Sequence, residues 1–169
     1  MESFAIVVQV IHQIGLTLGV GSSTFALVFY IKALEDQRID ASEKNLMHAV
    51  YTVLRIGMVL IVLALVLLAT FVFSFSGVAA LSALLSSPVF LVEWTLMGVI
   101  IGNAILMSKH RMPMWLGPTL AGGSWYSLFF LSALPLGGTS YSVLFGLYLM
   151  FLIVFLAVFT FLKRHYTRA

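Results

Sequence analysis

The chain has 169 residues, of which 62% are hydrophobic and only 9% are charged. About a quarter of the residues of a typical soluble domain are charged, so this composition excludes an ordinary soluble globular protein. The chain contains no cysteine, which excludes disulfides, thiolate metal sites and thiol catalysis.

Five apolar segments follow one another along the chain. A helix needs about 20 apolar residues to cross a hydrocarbon layer of about 30 Å. The segments cover approximately residues 4–31, 47–75, 89–107, 116–134 and 141–162. We do not expect the first to be a cleaved signal peptide, because no basic residue precedes it and its apolar run is too long. The sequence therefore predicts an all-α polytopic integral membrane protein, a single bundle of about five transmembrane helices.

The connections between the segments differ in character. The second, residues 76–88, carries no charge, and its 78–85 portion is apolar enough to form a short helix along the membrane interface. Segment three carries Gly98 and Gly102 at a spacing typical of close helix contacts. Segment four is interrupted by Pro118, Gly122 and Gly123, so neighbouring helices must help to satisfy its backbone.

The basic residues lie only in alternate connections and in the C-terminal tail. Apart from Arg55, they are Lys32, Arg38, Lys44, Lys109, Arg111, Lys163, Arg164 and Arg168. Because Lys and Arg are retained on the cytoplasmic side, the N-terminus is predicted outside and the C-terminus in the cytoplasm, as in a bacterial-type inner membrane protein. The net charge of +3 is explained by these signals and by anionic lipid. We expect the lipid bilayer as partner and no nucleic acid, and a homo-oligomer or a membrane partner subunit stays open.

Three ionisable side chains fall inside apolar segments: His12, Arg55 and Glu93. At about 1.5 Å per residue, His12 lies about 12 Å inward from Phe4 and Glu93 about 9 Å inward from Ser87. Arg55 lies about 16 Å from Lys44 on the cytoplasmic side, which leaves about 14 Å to the outer boundary of the hydrocarbon layer. The sequence therefore predicts that all three lie in one layer in the outer half of the membrane. Gln9 and Gln13 share the helical face of His12.

Two interpretations of this layer stay open. Ionisable groups within membrane spans are costly and usually face a bundle interior or a cavity, which favours a cofactor site, a proton path or a substrate site. Alternatively, an Arg55–Glu93 ion pair could simply hold three helices in register, with His12 and the two glutamines completing its hydrogen bonds.

A second group of candidates lies near the cytoplasmic boundary. His48 and His110 are there, with several methionines nearby that include Met107. Imidazole together with thioether sulfur is a ligand set for Cu(I) or for haem iron. The alternative is that the methionines fill space in an apolar bundle and the histidines are solvated.

The opening segment carries a pattern that resembles a known helix. His12 is followed by Gly15, Gly19 and Gly21, and then by Phe25, Phe29 and Tyr30. This pattern resembles the first helix of the CopD-type copper-resistance and HemJ-type protoporphyrinogen oxidase membrane proteins, and residues 46–58 are faintly similar to their second helix. The resemblance implies that His12 is an axial haem ligand and that an arginine, here Arg55, meets a haem propionate. The aromatic-proline-arginine run of the HemJ type is missing, and oxidase activity is not implied.

These observations lead to one functional expectation and two alternatives. We expect a haem-binding, b-type cytochrome-like membrane protein with a redox or haem-handling role. Its site residues would be His12, Arg55, Glu93, Gln9, Gln13, His48 and His110 around haem b, or His12, His48, His110 and Met107 around copper. The alternatives are a transporter or channel for a metal ion, a proton or a small solute, and a structural membrane subunit. An oxidoreductase activity is left open, since no common enzymatic motif occurs.

Overall fold

The computed structural model describes residues 2–36, 41–109, 111–113, 116–134 and 138–166. Within them the chain forms five helices and no strand, which confirms the all-α prediction. The helices are α1 (Glu2–Asp36), α2 (Ala41–Leu85), α3 (Pro88–Ser108), α4 (Leu116–Ala133) and α5 (Tyr141–Tyr166).

Four of these helices, α1, α2, α3 and α5, are long and apolar enough to cross a membrane. This is consistent with a membrane location. The remaining helix, α4, contains the proline and glycines that weakened segment four. It packs against α1, α3 and α5, and most of its residues between Gly117 and Leu128 are buried. A helix that its neighbours shield from lipid does not need an apolar surface of its own, which explains its composition.

Helix α2 is interrupted at Gly77, which has φ 77° and ψ −175°. Positive φ is accessible to glycine without a steric penalty, so this residue lets the chain turn out of the long helix. Residues 78–85 then form the short second helix that the sequence predicted after the end of segment two. Ser87 caps the next helix, because its Oγ accepts a hydrogen bond from the Phe90 backbone N–H at 3.3 Å.

Helices α1 and α2 cross at three glycines, Gly15 and Gly19 of α1 and Gly57 of α2. A Cβ built at Gly15 would lie 2.8 Å from Ile61 Cγ1, and one at Gly57 would lie 2.9 Å from the Gly15 carbonyl oxygen. Small residues allow this close approach of two backbones. Further along the pair, the Phe4 and Phe71 rings stack with centroids 4.6 Å apart, so the two helices run antiparallel in a defined register.

Helix α4 fills the centre of the bundle. Its Trp125 side chain is fully buried and lies against Gly19, where a side chain would overlap the ring. Hydroxyl groups join α4 to its neighbours, since Ser124 and Tyr148 are hydrogen-bonded at 2.9 Å and Thr24 and Tyr126 at 2.8 Å. These contacts hold α4 against α1 and α5.

The predicted helix contact at Gly98 and Gly102 is not formed within the described part of the chain. No atom lies within 4 Å of a Cβ built at either glycine. By contrast, Gly117 packs on Met107, and Gly122 packs on Leu27 and Phe155. The spacing alone could not distinguish an inward-facing from an outward-facing pair of glycines.

Candidate functional site

The structure brings His12 and Glu93 together. His12 Nε2 lies 3.8 Å from Glu93 Oε1, and each side chain is only 13% exposed. Helix α1 supplies the histidine, and the glutamate lies little more than one turn after the first residue of α3. The two side chains therefore meet at one level near one end of the bundle, and the depth estimate predicted this meeting.

The pair lines a cavity of about 450 Å³ between the first four helices. Its polar lining consists of Gln9, His12, Glu93 and Ser132, and its apolar wall comes from Ala5, Val8, Ala64, Leu65, Leu68, Val89, Leu131 and Leu134. No Lys or Arg belongs to this lining. The cavity therefore offers hydrogen-bonding groups, one carboxyl group and the His12 imidazole, and no permanently charged basic side chain.

The sequence predicted two glutamines of α1 at this site, and the structure gives them different contacts. Gln13 Nε2 donates a hydrogen bond to Ser132 Oγ at 3.0 Å, which ties α1 to the end of α4. Gln9 is exposed at the edge of the cavity. Ser132 had not been singled out, because a lone serine in an apolar segment carries no signal of its own and lies 119 positions from Gln13.

The free nitrogen of the histidine is the most informative atom of the site. His12 Nε2 is buried and has no hydrogen-bond partner among the described residues, since 3.8 Å to the carboxylate is too long for a hydrogen bond. A buried polar atom without a partner costs about 1–3 kcal/mol. His12 Nε2 is therefore free to accept a hydrogen bond from, or donate one to, a group that enters the cavity.

Arg55 does not join this pair, and the predicted three-residue layer is wrong in this respect. Its side chain is exposed, and the ion pair at the cavity joins His12 and Glu93 without it. Because Gly57 packs against Gly15 and Gly19, Arg55 lies roughly two helical turns, about 10 Å, from the level of His12.

The depth estimate failed for Arg55 because it was counted from Lys44, at the opposite end of the helix pair from His12. Helix α1 has 35 residues and the part of α2 before the kink at Gly77, residues 41–76, has 36, and at about 1.5 Å per residue either is much longer than one membrane thickness. Lys44 therefore does not mark the membrane boundary. Arg55 does not line this cavity, so the cavity geometry supports neither the predicted Arg55–Glu93 ion pair nor a contact of Arg55 with a haem propionate there.

His48 lies on the same outward face as Arg55. Both side chains are exposed, as is Thr52 between them, whose Oγ1 donates to the His48 carbonyl oxygen at 2.9 Å. His48, Thr52 and Arg55 thus form a polar stripe on one face of α2, and this face points away from the cavity.

Met107 lies in a contact of its own at the other end of α3. Its Sδ is 3.8 Å from Asn103 Nδ2, which also donates to the Gly117 carbonyl oxygen at 2.8 Å. His110 lies outside the described residues. Within the described ranges no group of three or more His, Cys, Asp or Glu residues could hold a metal ion. Because the predicted copper set also includes His110 and Met107, it stays a prediction.

A haem group is matched only in part by the cavity. The lining offers the His12 imidazole, but no second histidine and no methionine belongs to it. Of the residues expected around haem, His12, Glu93 and Gln9 line the cavity, Gln13 adjoins it, and Arg55 and His48 lie elsewhere.

Comparisons with protein-family models, with curated proteins and with solved structures give no match to this chain.

Proposed function

We propose that the chain crosses the membrane five times, with its N-terminus outside and its C-terminus in the cytoplasm, in a bacterial-type cytoplasmic membrane. Two observations support this. The basic residues lie in alternate connections. Helix α4 is not apolar enough to be a candidate membrane span by its own composition, but it packs against α1, α3 and α5, which are apolar enough. Because the chain has no cysteine, single cysteines placed in the connections can be labelled from either side without background.

We propose further that the protein is a membrane carrier for a small hydrogen-bonding solute, which it binds at the His12–Glu93 cavity. The observation that supports this best is the buried His12 Nε2, which has no hydrogen-bond partner among the described residues and lies 3.8 Å from the Glu93 carboxylate. Ionisable groups that are sheltered within a helical bundle typically mark substrate or proton pathways.

The chemistry of the lining indicates the class of solute. Glu93 accepts hydrogen bonds or carries a negative charge, and the Gln9 amide and the Ser132 hydroxyl can each donate or accept. Since the lining contains no Lys or Arg, an anionic solute would lack a permanent counter-charge. Neutral or cationic solutes fit better, and the His12–Glu93 pair can exchange a proton when the solute binds.

Proteoliposomes that enclose a pH-sensitive dye test this function. They are exposed to a panel of neutral and cationic solutes that includes glycerol, ethanolamine and phenol, and proton movement is recorded. We expect at least one solute to move protons through the wild-type protein, and we expect the flux to be lost in His12→Phe and Glu93→Gln. The matched control is His48→Phe, which changes an exposed histidine and should retain the flux. Flux that persists in both cavity variants would contradict the proposal.

Haem binding through His12 is the second candidate. It is supported by the same unpartnered imidazole nitrogen facing a cavity. When bound, haem would supply redox chemistry, and His12 would serve as one axial ligand. The purified protein would then show a Soret band that disappears in His12→Ala and persists in His48→Ala. A colourless protein that takes up no added haem would refute this candidate.

A further inference from the structure

An apolar groove adjoins the polar cavity. It has a volume of about 370 Å³ and is lined by α3, α4 and α5, with Leu96, Leu144 and Phe151 among its walls. Its lining is almost entirely apolar, and the side chains at its rim are exposed on the outer surface of the bundle. In a membrane this groove would open sideways toward the lipid.

The groove and the cavity share two side chains. Leu131 and Leu134 line both spaces. Two consecutive residues of α3 line different spaces: Val92 lines the groove and Glu93 lines the cavity. Leu134 is 54% exposed and follows the last residue of α4. The boundary between the polar and the apolar space thus consists of leucine side chains at a helix end, which can rotate without breaking a hydrogen bond.

We propose that the ligand of this site is a neutral amphiphile, with a hydroxyl-bearing head at His12 and Glu93 and a hydrocarbon tail in the groove. This inference rests on the proposed function, since it names the class of ligand that the same cavity takes. A hydroxyl group can donate to His12 Nε2 and accept from Ser132. The tail continues past Leu131 and Leu134 into a space that excludes polar groups.

The two spaces together discriminate against other membrane molecules. An anionic phospholipid would bring its phosphate to Glu93, where the cavity lining offers neither Lys nor Arg. A water-soluble solute would leave the groove unused. A neutral amphiphile matches both halves and reaches the site from the bilayer, through the lateral opening.

Photolabelling with a 4-alkylphenol tests this inference. The probe carries a diazirine at the end of a dodecyl tail and is added to the full-length protein in lipid nanodiscs. Mass spectrometry locates the adducts. In parallel, the modification of His12 by diethyl pyrocarbonate is measured with and without probe, which reports on the head independently of the tail.

We expect two results from the wild-type protein: adducts concentrated on residues 144–154 of α5, and at least a several-fold slower modification of His12. In His12→Phe the adducts on α5 should disappear. Leu147→Trp should reduce them, because Leu147 lines the groove at its rim. Leu149→Trp is the matched control, since Leu149 is also half exposed on α5 but does not line the groove.

The remaining outcomes separate this inference from the function on which it rests. If His12 is protected but the adducts scatter over lipid-facing residues such as Val59 and Leu63, the cavity binds the head and the tail placement is wrong. If the adducts on α5 are the same in His12→Phe, the groove holds lipid independently and the inference is also overturned. If His12 is not protected by the probe or by phenol, the proposed use of the cavity itself fails.

Discussion

The indole ring of Trp125 occupies the space that a side chain at Gly19 would need. A Cβ built on Gly19 would overlap the ring, and Trp125 is fully buried. This contact holds the central helix α4 against α1, and the cavity with His12 lies further along the same pair of helices. The packing at Gly19 therefore supports the position of the site.

Substitution of this glycine should destabilise the bundle. We expect Gly19→Ala to lower the free energy of unfolding by about 1–3 kcal/mol, because overpacking forces side chains and backbone to shift. Gly21→Ala, two residues along the same helix, is the control, since no atom lies within 4 Å of a Cβ at Gly21. Thermal unfolding in detergent measures both variants. Equal melting temperatures would show that the bundle accommodates the added methyl group.

The hydrogen bond between Ser124 and Tyr148 should couple α4 to α5. Its two oxygens are 2.9 Å apart and both residues are buried. A double-mutant cycle with Ser124→Ala and Tyr148→Phe should give a coupling free energy of about 0.6 kcal/mol and at most about 1.7 kcal/mol, the range for hydrogen bonds between membrane helices. A cycle in Thr160→Ala and Tyr148→Phe provides the reference, because Thr160 bonds within its own helix and should show no coupling.

Arg55→Leu distinguishes the observed site from the predicted ion pair. Arg55 is exposed and does not meet Glu93, so its replacement should change the free energy of unfolding by no more than about 0.5 kcal/mol. Removal of one partner from a buried ion pair would instead cost about 3–5 kcal/mol. Chemical denaturation in detergent separates these values. A loss of several kcal/mol would mean that Arg55 has a buried anionic partner after all.

The backbone at Gly77 should not tolerate a side chain well. Its φ of 77° with ψ −175° lies in a region that essentially only glycine adopts and that costs other residues about 1–3 kcal/mol. We expect Gly77→Ala to destabilise the protein by this amount, although no neighbouring atom would be touched. Gly146→Ala is the control, because Gly146 is also free of neighbours but lies within a helix. If both variants unfold alike, the kink at Gly77 is not maintained by glycine.

Labelling of introduced cysteines tests the proposed topology. A cysteine in place of Ser86, between α2 and α3, should react with an impermeant maleimide added outside intact cells. One in place of Ser108, at the other end of α3, should react only after the membrane is opened. Both serines are exposed, so accessibility depends on the side of the membrane. Equal labelling of both positions from outside would overturn the proposed orientation.

The helices could be predicted from the sequence because long apolar runs have few structural alternatives. The meeting of His12 and Glu93 was predictable because both lie a short count from the same end of the bundle. Arg55 was misplaced because its depth was counted from the opposite end of a helix longer than the membrane. The outward direction of His48 and Arg55 could not be predicted, since a polar stripe has the same spacing whichever way it faces. The contribution of Ser132 depends on a tertiary contact that no local pattern reveals.

The enclosure of α4 has a consequence for how the protein is made. A segment that contains Pro118, Gly122, Gly123 and Ser124 has little tendency to leave the insertion machinery for lipid by itself. We expect α4 to enter the membrane only after α1 and α3 are present to receive it, so the early helices would act as a template for the later one. Truncated chains that end shortly after α4 and lack α1 should therefore accumulate with α4 outside the bilayer.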